Sequence, residues 1–161
     1  MHTKHLSFLA LVAFAMLTGS ALADEKHHHH KGGKDSHVAA IGIPGDASNV
    51  SRTINVQLND TMRFAPDRLT ATRNETIRFV VRNGGKVKHE MILGSPKELK
   101  KHAELMRKHP EMEHADPNQV SVDPGQTGEL VWRFTRGGNV DFECLQPGHF
   151  DAGMVGKVAV R

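Results

Sequence analysis

Cys144, His149 and Met154 follow one another at five-residue steps near the end of the 161-residue chain, and that spacing restricts what the segment can form. On one regular strand the three side chains would alternate faces and spread over roughly 33 Å, at about 3.3 Å per residue. They can meet only if the chain folds back, and Pro147-Gly148 and Gly153 supply turn residues between them. The flanks read differently. Val140, Phe142 and Cys144 share one parity, as do Val158 and Val160, so a loop carrying the three side chains is expected between two strands.

The same alternation recurs upstream. Ile54, Val56 and Leu58 can line one face of a strand, as can Ile77, Phe79 and Val81, then Leu130, Trp132 and Phe134. Turn residues at Asn83-Gly-Gly85, Asp123-Pro-Gly125 and Gly137-Gly-Asn139 separate these runs. Short alternating segments between turns are the pattern of antiparallel strands in an all-β sandwich or barrel, and residues 38–161 suffice for one domain with one core. Val87, His89, Met91 and Leu93 also share a parity, which points His89 inward together with Cys144. One segment departs from the pattern. Ser95 at a plausible N-cap, Pro96 at the first helical position and good helix formers after it predict one short helical insert from about Pro96 to Lys108. Its Leu99, Ala103 and Met106 can pack on the sandwich.

Residues 1–23 read as a secretory signal peptide, with Lys4 before an apolar run from Leu6 to Leu17 and small residues ending in Ala21-Leu-Ala23, so cleavage is expected after Ala23. The run is shorter than the about 20 residues of a membrane span, and no membrane anchor is expected. Residues 24–37 contain no large apolar side chain and predict a disordered His-rich tail. Without Lys4, 20 of the 21 basic side chains face 18 acidic ones. That near balance, with no Tyr and no Arg-rich stripe interleaved with aromatics, argues against a nucleic-acid partner.

Cys144 is the only cysteine, so it has no internal disulfide partner, and in an exported protein it is either a buried inert thiol or a ligand. With His149 and Met154 beside it and His89 from another strand, the chain offers a thiolate, two imidazoles and a weak thioether. That is the donor combination of mononuclear electron-transfer copper, in which two His and one Cys form a trigonal set and a long Met contact is axial. Zinc is the chemical competitor, but a thioether is a poor fourth ligand for it.

The fragments His89-Glu-Met-Ile-Leu-Gly, His102-Ala-Glu-Leu-Met-Arg-Lys-His-Pro-Glu-Met-Glu-His114 and Pro147-Gly-His-Phe-Asp-Ala-Gly-Met-Val-Gly156 carry a resemblance over about residues 50–161. With the β-rich pattern, they make the chain resemble a cupredoxin with a plastocyanin/azurin-like domain, and more closely the exported bacterial copper-tolerance cupredoxins of the CopI type. The resemblance implies a Greek-key β-sandwich, one type 1 copper held by His89, Cys144, His149 and Met154, a periplasmic location and a role in copper tolerance. Partners are then copper ions and an unidentified periplasmic redox partner or copper-handling protein. Better-known blue copper proteins often have Asn directly after the first histidine to brace the copper loop; Glu90 stands there in this chain, which leaves the bracing open.

Two further groups of residues can bind metal. His27, His28, His29, His30 and His37 can gather imidazoles around Cu(II), Ni(II) or Zn(II), unless the run is an engineered purification tag. His102, Met106 and His109 would share a helix face, followed by Met112 and His114, and can form a second copper site; alternatively Met106 is core and the histidines are solvated. The rival function is a dedicated respiratory electron shuttle, which needs neither the tail nor the insert. An enzyme is disfavoured because four protein ligands leave no open position for substrate.

Overall fold

The computed structural model describes residues 40–109 and 116–161. Their alternating segments form ten strands: β1 (Ile43–Pro44), β2 (Arg52–Asn59), β3 (Arg63–Ala65), β4 (Arg68–Ala71), β5 (Thr76–Asn83), β6 (His89–Gly94), β7 (Gln119–Val122), β8 (Thr127–Arg133), β9 (Gly138–Glu143) and β10 (Val155–Val160). One helix, α1 (Pro96–Lys108), interrupts them between β6 and β7. The strands make two five-stranded sheets, in the orders β1-β8-β5-β2-β3 and β4-β10-β9-β6-β7. The expected parities hold: Val56, Leu58, Ile77, Phe79, Val81, Leu130, Trp132, Phe134 and Val158 all lie in one core cluster, with Ile54 packed against it. Burying a side chain of this size contributes about 1.5–3 kcal/mol. Phe64 meets Phe142 edge-on at 4.9 Å between ring centroids, and the buried Trp132 donates its indole N–H to the Ile41 carbonyl.

The expectation of antiparallel strands needs a correction. β2 runs parallel to β5, from Arg52 opposite Ile77 to Leu58 opposite Asn83, and β10 runs parallel to β4. The cause is the way the chain changes layers: it leaves the first sheet after β3, returns for β5 and leaves again for β6. A strand that comes back from the opposite layer can run alongside an earlier one with no helical crossover in its own sheet.

Helix α1 starts where expected and is held by reciprocal bonds. The Ser95 hydroxyl accepts from the Glu98 N–H while the Glu98 carboxylate accepts from the Ser95 N–H, with Pro96 in the first turn. Leu99 and Ala103 are buried with Ile92 and Leu145, and Met106 and Phe150 pack against them. Gly94 permits this approach, since a Cβ there would stand 2.6 Å from Leu99 Cγ. The helix thereby covers the outer side of the second sheet beside the β9–β10 loop. Among the described residues no helix is long and apolar enough to cross a membrane. The signal peptide over 1–23, the tail over 24–37 with His27, His28, His29, His30 and His37, and Met112 and His114 lie outside the described residues.

Candidate metal centre

Strand pairing brings the site together. β6 and β9 are antiparallel, with Ile92 opposite Glu143, so His89 at the start of β6 and Cys144 just after β9 lie at the same end of the sheet. Both are fully buried, as the shared parities predicted, whereas Val87 lies before the strand and is exposed. The β9–β10 loop then folds back as the five-residue spacing required. Gly148 and Gly153 take positive φ angles of 82° and 88°, the left-handed region that favours glycine. The His149 N–H donates to the Gln146 carbonyl, the Met154 N–H to the His149 carbonyl, and the Cys144 N–H to the Met154 carbonyl, so the backbone links all three positions.

The resulting geometry gathers the donors. Cys144 Sγ lies 3.2 Å from His149 Nδ1 and 4.0 Å from His89 Nδ1. The ligand atoms of His89, Cys144 and His149 all fall within 4.8 Å of one another, and Met154, whose carbonyl accepts from the Cys144 N–H, is fully buried. Burial pushes the Cys144 thiol up to about 12, against the N–H groups of Glu90 and Gln146 that favour the thiolate, and the nearby Glu90 charge adds to the rise. Burial also lowers the pKa of His149, and positive charge on His89 lowers it further. A cation entering this cluster meets a neutral His149 imidazole and must displace the thiol proton. Two converged nitrogens and a soft sulfur, with a thioether on the same loop, suit copper: the sulfurs favour Cu(I) and the imidazoles accept both valences. His89, Cys144, His149 and Met154 together form a type 1 copper site.

Three side chains that sequence reasoning did not assign to the site hold it in place. Glu90 resolves the open question of the brace. Its N–H points at Cys144 Sγ at 3.4 Å, and its buried carboxylate accepts from the Leu145 N–H at 2.9 Å, the Gln146 amide at 3.2 Å and the Ser121 hydroxyl at 3.4 Å. Arg63 on β3 donates to the Ala152 carbonyl at 2.8 Å, tying down the far side of the loop. Asp60, in the turn between β2 and β3, lies 3.3 Å from His89 Nε2. The backbone N–H of Lys86 is the main reason its carboxyl group sits below the usual carboxylate range. Position 90 was identifiable only as the place where an Asn often stands, and nothing local marked Arg63 or Asp60.

The insert is arranged differently from the main site. Met106 packs against the Ile92, Leu99, Ala103 and Leu145 cluster, in keeping with the core alternative. His102 is half-buried on α1, and His109 is exposed at its C-cap. Among the described residues, neither joins a convergent group of three imidazole, thiol or carboxylate donors; His89, Cys144 and His149 do.

Comparison with known proteins agrees with this chemistry. The family described as copper binding proteins, plastocyanin/azurin family, matches residues 50–161. The chain is 48% identical over 155 residues to the copper-resistant cuproprotein CopI of Rubrivivax gelatinosus, covering 94% of each chain. It is 35% identical over 120 residues to the protein of the same name from Vibrio cholerae, covering 73% of this chain and 70% of that one. Among solved structures, auracyanin B superposes with a TM-score of 0.61 at 20% identity, over 76% of this chain and 95% of its own. The dithionite-reduced auracyanin of Roseiflexus castenholzii also reaches 0.61, at 19% identity, over 70% of this chain and 98% of its own. With the family pattern spanning every strand from β2 onward and the donors converged at the end of the sandwich, this chain belongs to the plastocyanin/azurin family of copper-binding proteins, the cupredoxins.

Proposed function

We propose that this protein is exported to the periplasm and contributes to copper tolerance through a redox-active copper centre. His89, Cys144, His149 and Met154 would hold the copper. Copper held there would supply redox chemistry, taking up an electron from Cu(I) arriving in the periplasm, or would be passed on, with no catalytic turnover of the protein's own. The observation that carries this reading is the Cys144, His89 and His149 cluster, whose ligand atoms lie within 4.8 Å of one another. The tolerance role is supported by the copper-resistant relative that matches nearly the whole length of this chain. An unchanging scaffold around mixed soft and borderline donors lets the metal change valence with little rearrangement, which electron transfer requires.

Titration of the mature protein with Cu(II), followed by visible absorption and electron paramagnetic resonance, tests the centre. Intense thiolate-to-copper absorption that saturates at one equivalent and vanishes in Cys144→Ser is the expected result. Weak copper signals indifferent to Cys144→Ser would overturn it. In cells, a Cys144→Ser strain should be more copper-sensitive than wild type. Equal growth on copper, with a defect confined to one respiratory pathway, would instead identify a respiratory shuttle.

A further inference from the structure

The Asp60 carboxylate occupies a cradle built around it. Lys86 donates its backbone N–H to both carboxylate oxygens, at 3.0 and 2.8 Å, and Val87 adds a longer contact of 3.5 Å. The segment supplying these donors is itself fastened: Asn83 accepts from the Gly85 N–H and donates to the carbonyls of Val87 and Val122. It passes so close that a Cβ at Gly85 would stand 2.1 Å from Asp60 Oδ1. The same oxygen faces Nε2 of the fully buried His89, whose other nitrogen faces Cys144 Sγ. An ionised carboxylate only accepts hydrogen bonds, so Nε2 is the nitrogen that carries the proton, and the Nδ1 lone pair is left towards the sulfur.

We propose that Asp60 is a positioning residue of the copper centre, which holds His89 as its Nε2–H tautomer and, through that bond, biases the site towards Cu(II). A carboxylate behind a ligating imidazole fixes the ring and raises its basicity. The more highly charged valence gains more from both effects. The proposal rests on His89 being a copper ligand, as argued above.

Asp60→Asn separates charge from shape, because the amide oxygen can still accept from Nε2–H, whereas Asp60→Ala removes both. In copper-free wild-type protein, nitrogen NMR of His89 should report the Nε2–H tautomer. Asp60→Asn should keep that tautomer and lower Cu(II) affinity about 10–100-fold, the usual cost of losing such an outer partner, while Cu(I) affinity falls less. Asp60→Ala should lose the tautomer preference as well. A wild-type Nδ1–H tautomer would overturn the proposal, as would an Asp60→Asn protein whose Cu(II) and Cu(I) affinities fall equally or not at all, since a purely structural turn residue would behave that way. His89→Gln is the control for the ligand assignment: if it leaves the thiolate-to-copper absorption intact, the ligand reading fails, independently of Asp60.

Discussion

Removing the Glu90 carboxylate should loosen the copper loop before any question of metal arises. In Glu90→Ala the Leu145 N–H loses its acceptor while remaining sealed beneath α1, where Leu145 is buried with Leu99 and Ala103. A buried donor left without a partner costs about 1–3 kcal/mol. The Gln146 amide and the Ser121 hydroxyl lie in partly exposed residues, so they exchange Glu90 for water and add about 0.5 kcal/mol each. With the lost packing of the side-chain methylenes, the expected destabilisation is about 2–4 kcal/mol, a large fraction of the 5–15 kcal/mol typical of a domain. Glu90→Gln keeps the shape and one acceptor, and should cost about half as much. Urea unfolding of the copper-free protein is the appropriate assay, because bound metal would stabilise the folded state by mass action. Trp132, the only tryptophan and fully buried, reports it by fluorescence. Hydrogen exchange at the Leu145 amide should accelerate in parallel. A Glu90→Ala protein within 0.5 kcal/mol of wild type, with Leu145 protection unchanged, would refute the reasoning.

Because the Cys144 thiol is pushed up to about 12, copper binding at pH 8 should release one thiol proton per metal, and apparent affinity should rise about tenfold per pH unit; a pH-stat titration with no release, or equal release in Cys144→Ser, would contradict this. Glu143 is raised from 4.5 to about 7, by burial first and Asp141 second, so its protonated form stabilises the fold below pH 4.5 and that contribution is lost as pH rises through 7. Urea midpoints of the copper-free protein should decline over that window and flatten in Glu143→Gln; identical profiles would remove Glu143 as the cause. Gly156→Ala would drive a Cβ to 2.2 Å from the Phe142 ring and 2.8 Å from the Asp67 carbonyl, a clash costing about 3 kcal/mol. Its melting temperature should fall markedly, and one within 2 °C of wild type would show that the sandwich yields there.

Side-chain identity and parity made the copper donors legible. Cys144, His149 and Met154 declared themselves by type and by a spacing that only a folded-back loop can close, and His89 by sharing an inward parity with Met91 and Leu93. The helix was legible from Ser95 and Pro96. Parity gave no sign of what covers the outer side of β6 and β9. Glu90, Asp141 and Glu143 occupy positions that alternate away from the core, yet all three are buried. Alternation assumes that one face of a sheet is wet, and here α1 and the copper loop cover part of it. Asp60 was out of reach for another reason, since it meets His89 across 29 residues of sequence through a turn whose composition is ordinary. The parallel pairs were hidden likewise, because layer changes leave no mark in a hydrophobic pattern.

The loop between Cys144 and Met154 is fastened from three directions, by Glu90 on β6, by Arg63 on β3 and by the apolar side of α1 against Leu145 and Phe150. It is therefore not a portable cassette. Grafting these residues onto another sandwich would transfer the donors without the framework that sets their spacing, and lengthening the loop to retune the metal would detach it from all three anchors together. An engineer seeking to move this centre would have to carry strand, arginine and helix along with it, so the unit of inheritance is the end of the sandwich and not the eleven residues from Cys144 to Met154.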